Sequence, residues 1–303
     1  MRRELVLVTA LAILLTAGAH PALAENRLGA DQGKILLTAG FSDYEGAGGG
    51  GLVPLAFITG YGSSDSWGAN AHYTGVLLKD IRLDAWGVAA GLWDRVELSF
   101  VRHELEFSNG ALDGLGVRDD VYGIKVKLFG DAVYYQDSAL PQVAIGAQYK
   151  DHGGIHDAEA VGLAGLTSPI QLGAEDDSGV DYYLAATKVF LAQSLALNLT
   201  LRYTEANQFG LLGFGPDAEL VPEATIAWLL SRKFALGAEY RDRPSDNLAA
   251  DDEDAAWTVF AAWTPTHNIS LVAAYLNIGS VLGPVTGETD DQDGAYLSLQ
   301  VGF

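Results

Sequence analysis

Gly294-Ala-Tyr-Leu-Ser-Leu-Gln-Val-Gly-Phe303 alternates from its first residue to its last. Ala295, Leu297, Leu299, Val301 and Phe303 fall on one face of an extended segment, and Tyr296, Ser298, Gln300 and Gly302 on the other. Strand side chains point to opposite faces in turn, so this is a strand with one apolar and one polar face. Left at the edge of an open sheet, it would expose a row of unpaired backbone groups that a soluble protein has to protect.

The other end of the chain points to a compartment. Arg2-Arg3 supplies a positive start, Leu5 to Ala19 is an apolar run, and Ala22-Leu23-Ala24 has the small-x-small form of a cleavage site. Residues 1–24 therefore read as a secretory signal peptide, leaving 25–303 as a single domain. The apolar run is shorter than the roughly 20 residues of a spanning helix. The chain has no Cys, so an exported form does not rely on disulfides. In that setting the terminal strand resembles the assembly signal of bacterial outer-membrane β-barrels. Phe303 is then the residue expected to be read by the barrel assembly machinery. Outer-membrane lipid and lipopolysaccharide are the expected surroundings.

The composition agrees with a β-rich chain: 36 Gly, 13 Tyr, 11 Phe and 6 Trp in 303 residues. A net charge of −21 argues against nucleic acid as a partner. A chain without an apolar helical span can cross a bilayer only as a closed barrel, because lipid leaves no partner for an open strand edge.

Candidate strands recur at 34–43, 52–62, 67–77, 81–92, 95–107, 119–129, 141–151, 180–191, 195–204, 223–231, 233–242, 255–264, 268–278 and 294–303. Most approach or exceed the 9–11 residues of a tilted membrane strand. The expected fold is an all-β, transmembrane, antiparallel up-and-down barrel of 14 strands. A 12-strand alternative places 34–62 partly inside the lumen. Leu195-Ala-Leu-Asn-Leu-Thr-Leu-Arg-Tyr203 is the cleanest strand, with leucines outward and Asn198, Thr200 and Arg202 inward. By the same alternation Lys125, Lys127, Lys150, Glu239 and Arg241 face inward, with Glu97 among them. Two readings of these charges stand side by side: the wall of a hydrated pore that biases which solutes pass, or a salt-bridged network that packs a closed lumen.

Some segments break the pattern. Arg82 and Asp84 share a face with Trp86 and Val88, the apolar phase of 95–107 shifts after Phe100, and Lys188 shares a parity with Leu184. A bulge in each would account for the change. Connections alternate between short (93–94, 192–194, 231–232, 265–267) and long (108–118, 152–179, 205–222, 243–254, 279–293), as periplasmic turns and extracellular loops do. The connection 130–140 is long for its parity. The even count pairs 294–303 with 34–43 to close the barrel.

The weakest strand is 52–62. It follows Gly46-Ala-Gly-Gly-Gly-Gly51 and contains Pro54, which removes a ladder hydrogen bond. It is either a flexible loop leading into an ordinary strand or a segment folded into the lumen as a plug. Gly50-Gly-Leu-Val-Pro-Leu-Ala-Phe-Ile-Thr-Gly-Tyr-Gly62 leading into Gly68-Ala-Asn-Ala-His-Tyr73, together with Gly123-Ile-Lys-Val-Lys-Leu-Phe-Gly-Asp131, resembles an uncharacterised outer-membrane protein family of proteobacteria. That family carries no assigned substrate or catalytic residue. More distantly, the strand count is similar to that of channels for fatty acids and aromatic hydrocarbons, an analogy of fold alone.

Acidic runs crowd the long connections: Glu175-Asp-Asp177, Asp251-Asp-Glu-Asp254, and Asp290-Asp291 with Asp293. Loop-bound Ca²⁺ or Mg²⁺ is one reading and a solvated loop surface the other, and none has EF-hand spacing. No other cofactor is indicated. Val161, Leu163, Leu166, Pro169, Ile170 and Leu172 make loop 152–179 apolar enough to pack on something, either infolded or against another loop. No His begins the His-x-Ser pair of barrel phospholipases. His152 and His156 with Asp151 and Asp157 are generic, and Asn70-x-His72 suits a lumen hydrogen bond as readily as catalysis. No catalytic residue is assigned. The function expected is a porin-like channel for small solutes or apolar molecules. The alternative is a closed structural or adhesion barrel with acidic loops.

Overall fold

Alternation along the chain becomes a wall with two chemically different sides. A computed structural model describes residues 41–60, 62–109, 112–244, 254–281 and 291–303. Its strands are β1 (Trp67–Leu78), β2 (Ile81–Leu92), β3 (Val96–Phe107), β4 (Gly116–Phe129), β5 (Gln142–His156) and β6 (Ser178–Phe190), followed by β7 (Leu195–Ala206), β8 (Phe214–Ser231), β9 (Phe234–Arg241), β10 (Ala256–Trp263), β11 (Ile269–Asn277) and β12 (Asp293–Gly302). Each pairs antiparallel with its neighbours in sequence, and β1 pairs with β12 to close the barrel.

The count is therefore twelve, not fourteen. Strand β12 does not meet 34–43; its partner is β1, with Thr74 opposite Ser298 and His72 opposite Gln300. Residues 41–60 contribute only isolated bridges, Ser42 with Gly48 and Gly49 with Pro54, and lie inside the barrel. The signal segment 1–24, residues 34–40 and the acidic positions 251–253 and 290 lie outside the described residues.

The outer face explains why the barrel belongs in lipid. Leu199, Leu220, Leu230 and Leu297 point outward, each about 60–69% exposed, on a wall no soluble protein would present to water. Val301 keeps the outward parity but is covered. Two rows of exposed aromatics flank the aliphatic band. Trp86, Tyr122, Tyr149, Tyr182, Tyr203, Tyr240, Trp257 and Tyr275 lie toward the long loops, and Trp67, Trp93, Trp228 and Trp263 toward the short turns. Such girdles sit where bilayer meets water. On β10 the two rows are Trp257 and Trp263, six residues or about 20 Å apart along the strand. The molecule is a closed β-barrel of the outer-membrane type. By the loop asymmetry of such barrels, the loop end is extracellular.

The irregular segments have other causes than bulges. Register runs without a break through β1–β2, β2–β3 and β5–β6. Arg82 and Asp84 lie beyond the loop-side girdle, where polar headgroups replace hydrocarbon, and pair with each other at 2.9 Å. In β3 the residues after Phe100 keep their facing; Val101, Leu105 and Phe107 are inward because the lumen at that height is apolar. Lys188 donates to the carbonyls of Asp131 and Tyr135, so the long connection after β4 covers it. Register shifts occur instead in β4–β5, β7–β8 and β8–β9.

The turn-end connection between β2 and β3 shows its logic locally. Trp93 and Asp94 both have positive φ, 56° and 47°, the conformation that matches a hairpin turn to strand twist. At the loop end, Val161, Leu166 and Leu172 pack on a cluster containing Leu112, Leu115, Phe209, Leu211 and Leu212. The connection between β5 and β6 thus rests on other loops: Glu175 N–H donates to the Phe214 carbonyl at 2.9 Å.

Candidate functional site: the lumen and its inner segment

The largest fully buried side chains among the described residues are Arg202, Lys125 and Lys150. Charge in such a place has to be paired and hydrogen-bonded. Six groups form one network. Lys150 Nζ lies 2.5 Å from Glu45 and 2.8 Å from Asp181. Arg202 reaches Asp181 at 3.1 Å and Glu223 at 2.5 Å. Arg241 reaches Glu45 at 2.7 Å and Glu223 at 3.3 Å. Strands β5 to β9 supply three cations and two anions. Glu45 of the inner segment supplies the third anion and makes the network neutral.

The rest of the inner segment is held through its backbone. Glu97 accepts from the N–H groups of Gly48 (2.8 Å) and Thr59 (2.7 Å). Its salt-bridge partner Lys125, at 3.0 Å, donates to the carbonyls of Gly48 and Phe57, both at 2.7 Å. Glu239 accepts from Gly51 N–H (3.0 Å) and Leu52 N–H (2.8 Å). Thr187 and Gln142 bond the two sides of the Ala56 peptide unit, and Gln300 brackets Ser42 through N–H and C=O. Thr200 donates to the Pro54 carbonyl at 3.0 Å. A chain segment without secondary structure can lie in a buried lumen only if its peptide groups are satisfied, and here the wall satisfies them. The glycine run has a direct cause: a Cβ on Gly48 would come within 2.6 Å of a Glu97 carboxylate oxygen, and one on Gly50 within 1.8 Å of Glu239.

Of the sequence-derived lumen residues, Lys125, Lys150, Arg202, Glu239 and Arg241 are inside and bonded to the inner segment or its network. Lys127 is apart from them, at the turn-end rim, 2.7 Å from Asp94. Phe303 exchanges backbone hydrogen bonds with Ala69 on β1. Asn70 donates to Ser42 and Gln300. The sequence reading missed Glu45, Asp181 and Glu223. Alternation could have found the two strand residues, but nothing periodic marks Glu45.

The opposite side of the lumen carries no such charge. From β10 through β12 and round to β2 the inward residues are uncharged: Phe260, Ala262, Val272, Leu276, Val76 and Leu83 are apolar, and Asn70, Thr258 and Gln300 are polar. Two cavities flank the inner segment, the first against this wall and the second against β6 to β11. One, about 50 Å³, opens toward the loop end between Leu78, Leu105, Leu276 and Phe209. The other, about 80 Å³, lies toward the turn end between Ala196, Leu229, Ala235 and Ala262. Phe209 closes over the inner segment from above. Its ring meets Tyr44 edge-on at 5.7 Å, Arg241 stacks on it at 4.7 Å, and Lys150 donates to its carbonyl.

A family model described as "Protein of unknown function (DUF3034)" matches residues 38–300. No curated protein matches the chain. Among solved structures, the NanC porin is similar at 9% identity, over 78% of this chain and 98% of that one, with a TM-score of 0.46. The COG4313 outer membrane channel from Pseudomonas putida F1 is similar at 12% identity, over 83% and 96%, TM-score 0.43. Outer membrane phospholipase A from Escherichia coli is similar at 9% identity, over 77% and 92%, TM-score 0.41. Likenesses this loose carry no argument about what crosses the lumen.

Proposed function

The chain belongs to the DUF3034 family of proteins of unknown function, and from its lumen we propose that it is a channel for small apolar molecules. One observation carries the reading. The inner segment is bonded to charged and polar side chains of the wall, and the space left beside it is a pair of apolar cavities, one toward each end. An apolar solute entering them leaves water at a gain of about 25 cal/mol per Å² of its surface, whereas a sugar or ion loses hydration with nothing in return. Short apolar compartments hold such a solute without trapping it.

A channel is also a better account than an enzyme. His103 has one ring nitrogen 3.3 Å from Asp119 and the other 2.7 Å from the Tyr44 carbonyl, leaving none to activate a nucleophile. The orienting acid and the base are present without the third member that nucleophilic catalysis needs.

The test is uptake by cells that make or lack the barrel, comparing a radiolabelled benzene-class hydrocarbon with a five-carbon sugar. The barrel is expected to speed hydrocarbon uptake several-fold and leave the sugar unchanged. Faster sugar uptake with unchanged hydrocarbon uptake would overturn the reading. A second reading, a closed barrel of purely structural use, draws on the completeness of the Glu45 network. It gains if neither solute is taken up faster.

A further inference from the structure

We propose that Phe260 is the residue that selects solutes by size, its ring and the backbone of Gly51 forming the constriction between the two cavities. The inference rests on the channel reading and adds a location for its selectivity. The two cavities share Gly51, Phe260 and Val272 in their linings, so what separates them lies between these residues. Phe260 is on β10 with its side chain inward and partly exposed to the cavities. It packs against the buried apolar cluster that also holds Val76, Val272 and Leu276.

The wall is shaped to receive that ring. Gly237 is the register partner of Phe260 on β9. A Cβ there would meet the ring at 2.4 Å, so the glycine makes the recess in which the ring rests. Across the passage, Gly51 presents only backbone. Its N–H is fixed at 3.0 Å by Glu239, two residues along from Gly237, and Glu239 is itself held by Thr225 at 3.1 Å. Glu239 has no salt-bridge partner among the described residues, so its role in the fold is this hold on Gly51 and Leu52. One side of the constriction is thus a ring carried by β10 and resting on β9, and the other a peptide unit tied to β9 through Glu239. Phe260 sets the width, and Glu239 is a positioning residue for the far side.

Uptake of a benzene-class and a naphthalene-class hydrocarbon by cells making the wild-type barrel, Phe260→Ala, Phe260→Leu or Phe260→Trp tests this. Assembly of each variant is checked by its heat-modifiable gel mobility. Wild type is expected to favour the smaller solute. Phe260→Ala should raise uptake of the larger one several-fold while changing the smaller less. Phe260→Trp should slow both. If the alanine variant does not assemble, the leucine and tryptophan variants carry the comparison, with Phe260→Leu expected between wild type and Phe260→Ala. If wild type takes up the smaller solute and the assembled variants keep its ratio of rates, the inference is overturned and the channel reading stands. If neither wild type nor any variant exceeds cells lacking the barrel, the channel reading falls and the inference with it.

Discussion

Glu45 illustrates how much one side chain can decide. Without it the wall presents Lys150, Arg202 and Arg241 against only Asp181 and Glu223. Removing one partner of a buried ionic group costs roughly 3–5 kcal/mol, because the charges left behind are unpaired. Glu239 differs: it accepts from two backbone N–H groups and a hydroxyl, and glutamine keeps one acceptor oxygen. Glu45→Gln is therefore expected to loosen the inner segment more than Glu239→Gln, for which about 1–3 kcal/mol is expected. Proteinase K cleavage within 41–60 of the purified barrels measures this. Faster cleavage of Glu239→Gln than of Glu45→Gln would refute the ranking. Alternation alone places Arg202 or Lys150 inside. Glu45 carries no such mark, because an irregular segment has no period and its partners are more than a hundred residues away.

At the scale of elements, the closing pair is the sharpest claim. Thr74 on β1 and Ser298 on β12 face each other with their hydroxyl oxygens 2.8 Å apart. That pairing sets the Cβ atoms near the 3.5–4.5 Å a disulfide requires. The chain has no Cys to compete. Thr74→Cys combined with Ser298→Cys is expected to form a disulfide on export, seen as a mobility shift that reductant reverses. A double variant that stays reduced in an assembled barrel would mean that another strand lies beside β12. The strands themselves were readable. Ten to thirteen residues of alternation is a strong signal, and β2 was placed to the residue. The partner of β12 was not, since antiparallel neighbours are chosen by the whole ring and not by either strand. Nor is the facing in β3 after Phe100, because there the outward residues turn polar (Arg102, Glu104, Glu106) while the inward Val101, Leu105 and Phe107 are apolar, and the pattern inverts without any change of facing.

For the whole molecule, wall and inner segment are separable. The inner segment adds no strand to the ladder, and every strand has both neighbours without it. Deleting 41–60 is expected to leave an assembled, heat-modifiable barrel. Its charged side would then hydrate and conduct ions in planar bilayers, where the full-length protein gives little conductance. If the deletion variant assembles and conducts no better than wild type, something other than this segment closes the lumen. A twelve-strand ring is wide enough for this to matter; at about eight strands, side chains alone would fill it.

The chain's own pattern of residues determined the architecture. Period-two alternation, strand length and terminal aromatics are local properties, and a bilayer leaves them one solution, a closed antiparallel barrel with leucines outward. Tertiary structure alone decided what fills that barrel. Whether Gly46–Gly51 is a loop or a plug depends on Glu97 and Glu239 lying within hydrogen-bond reach of glycine amides. Whether the inward charges line water or pair with one another depends on where Glu45 comes to rest. Both are contacts between segments far apart in sequence, set by ring closure and buried electrostatics, for which no local pattern exists.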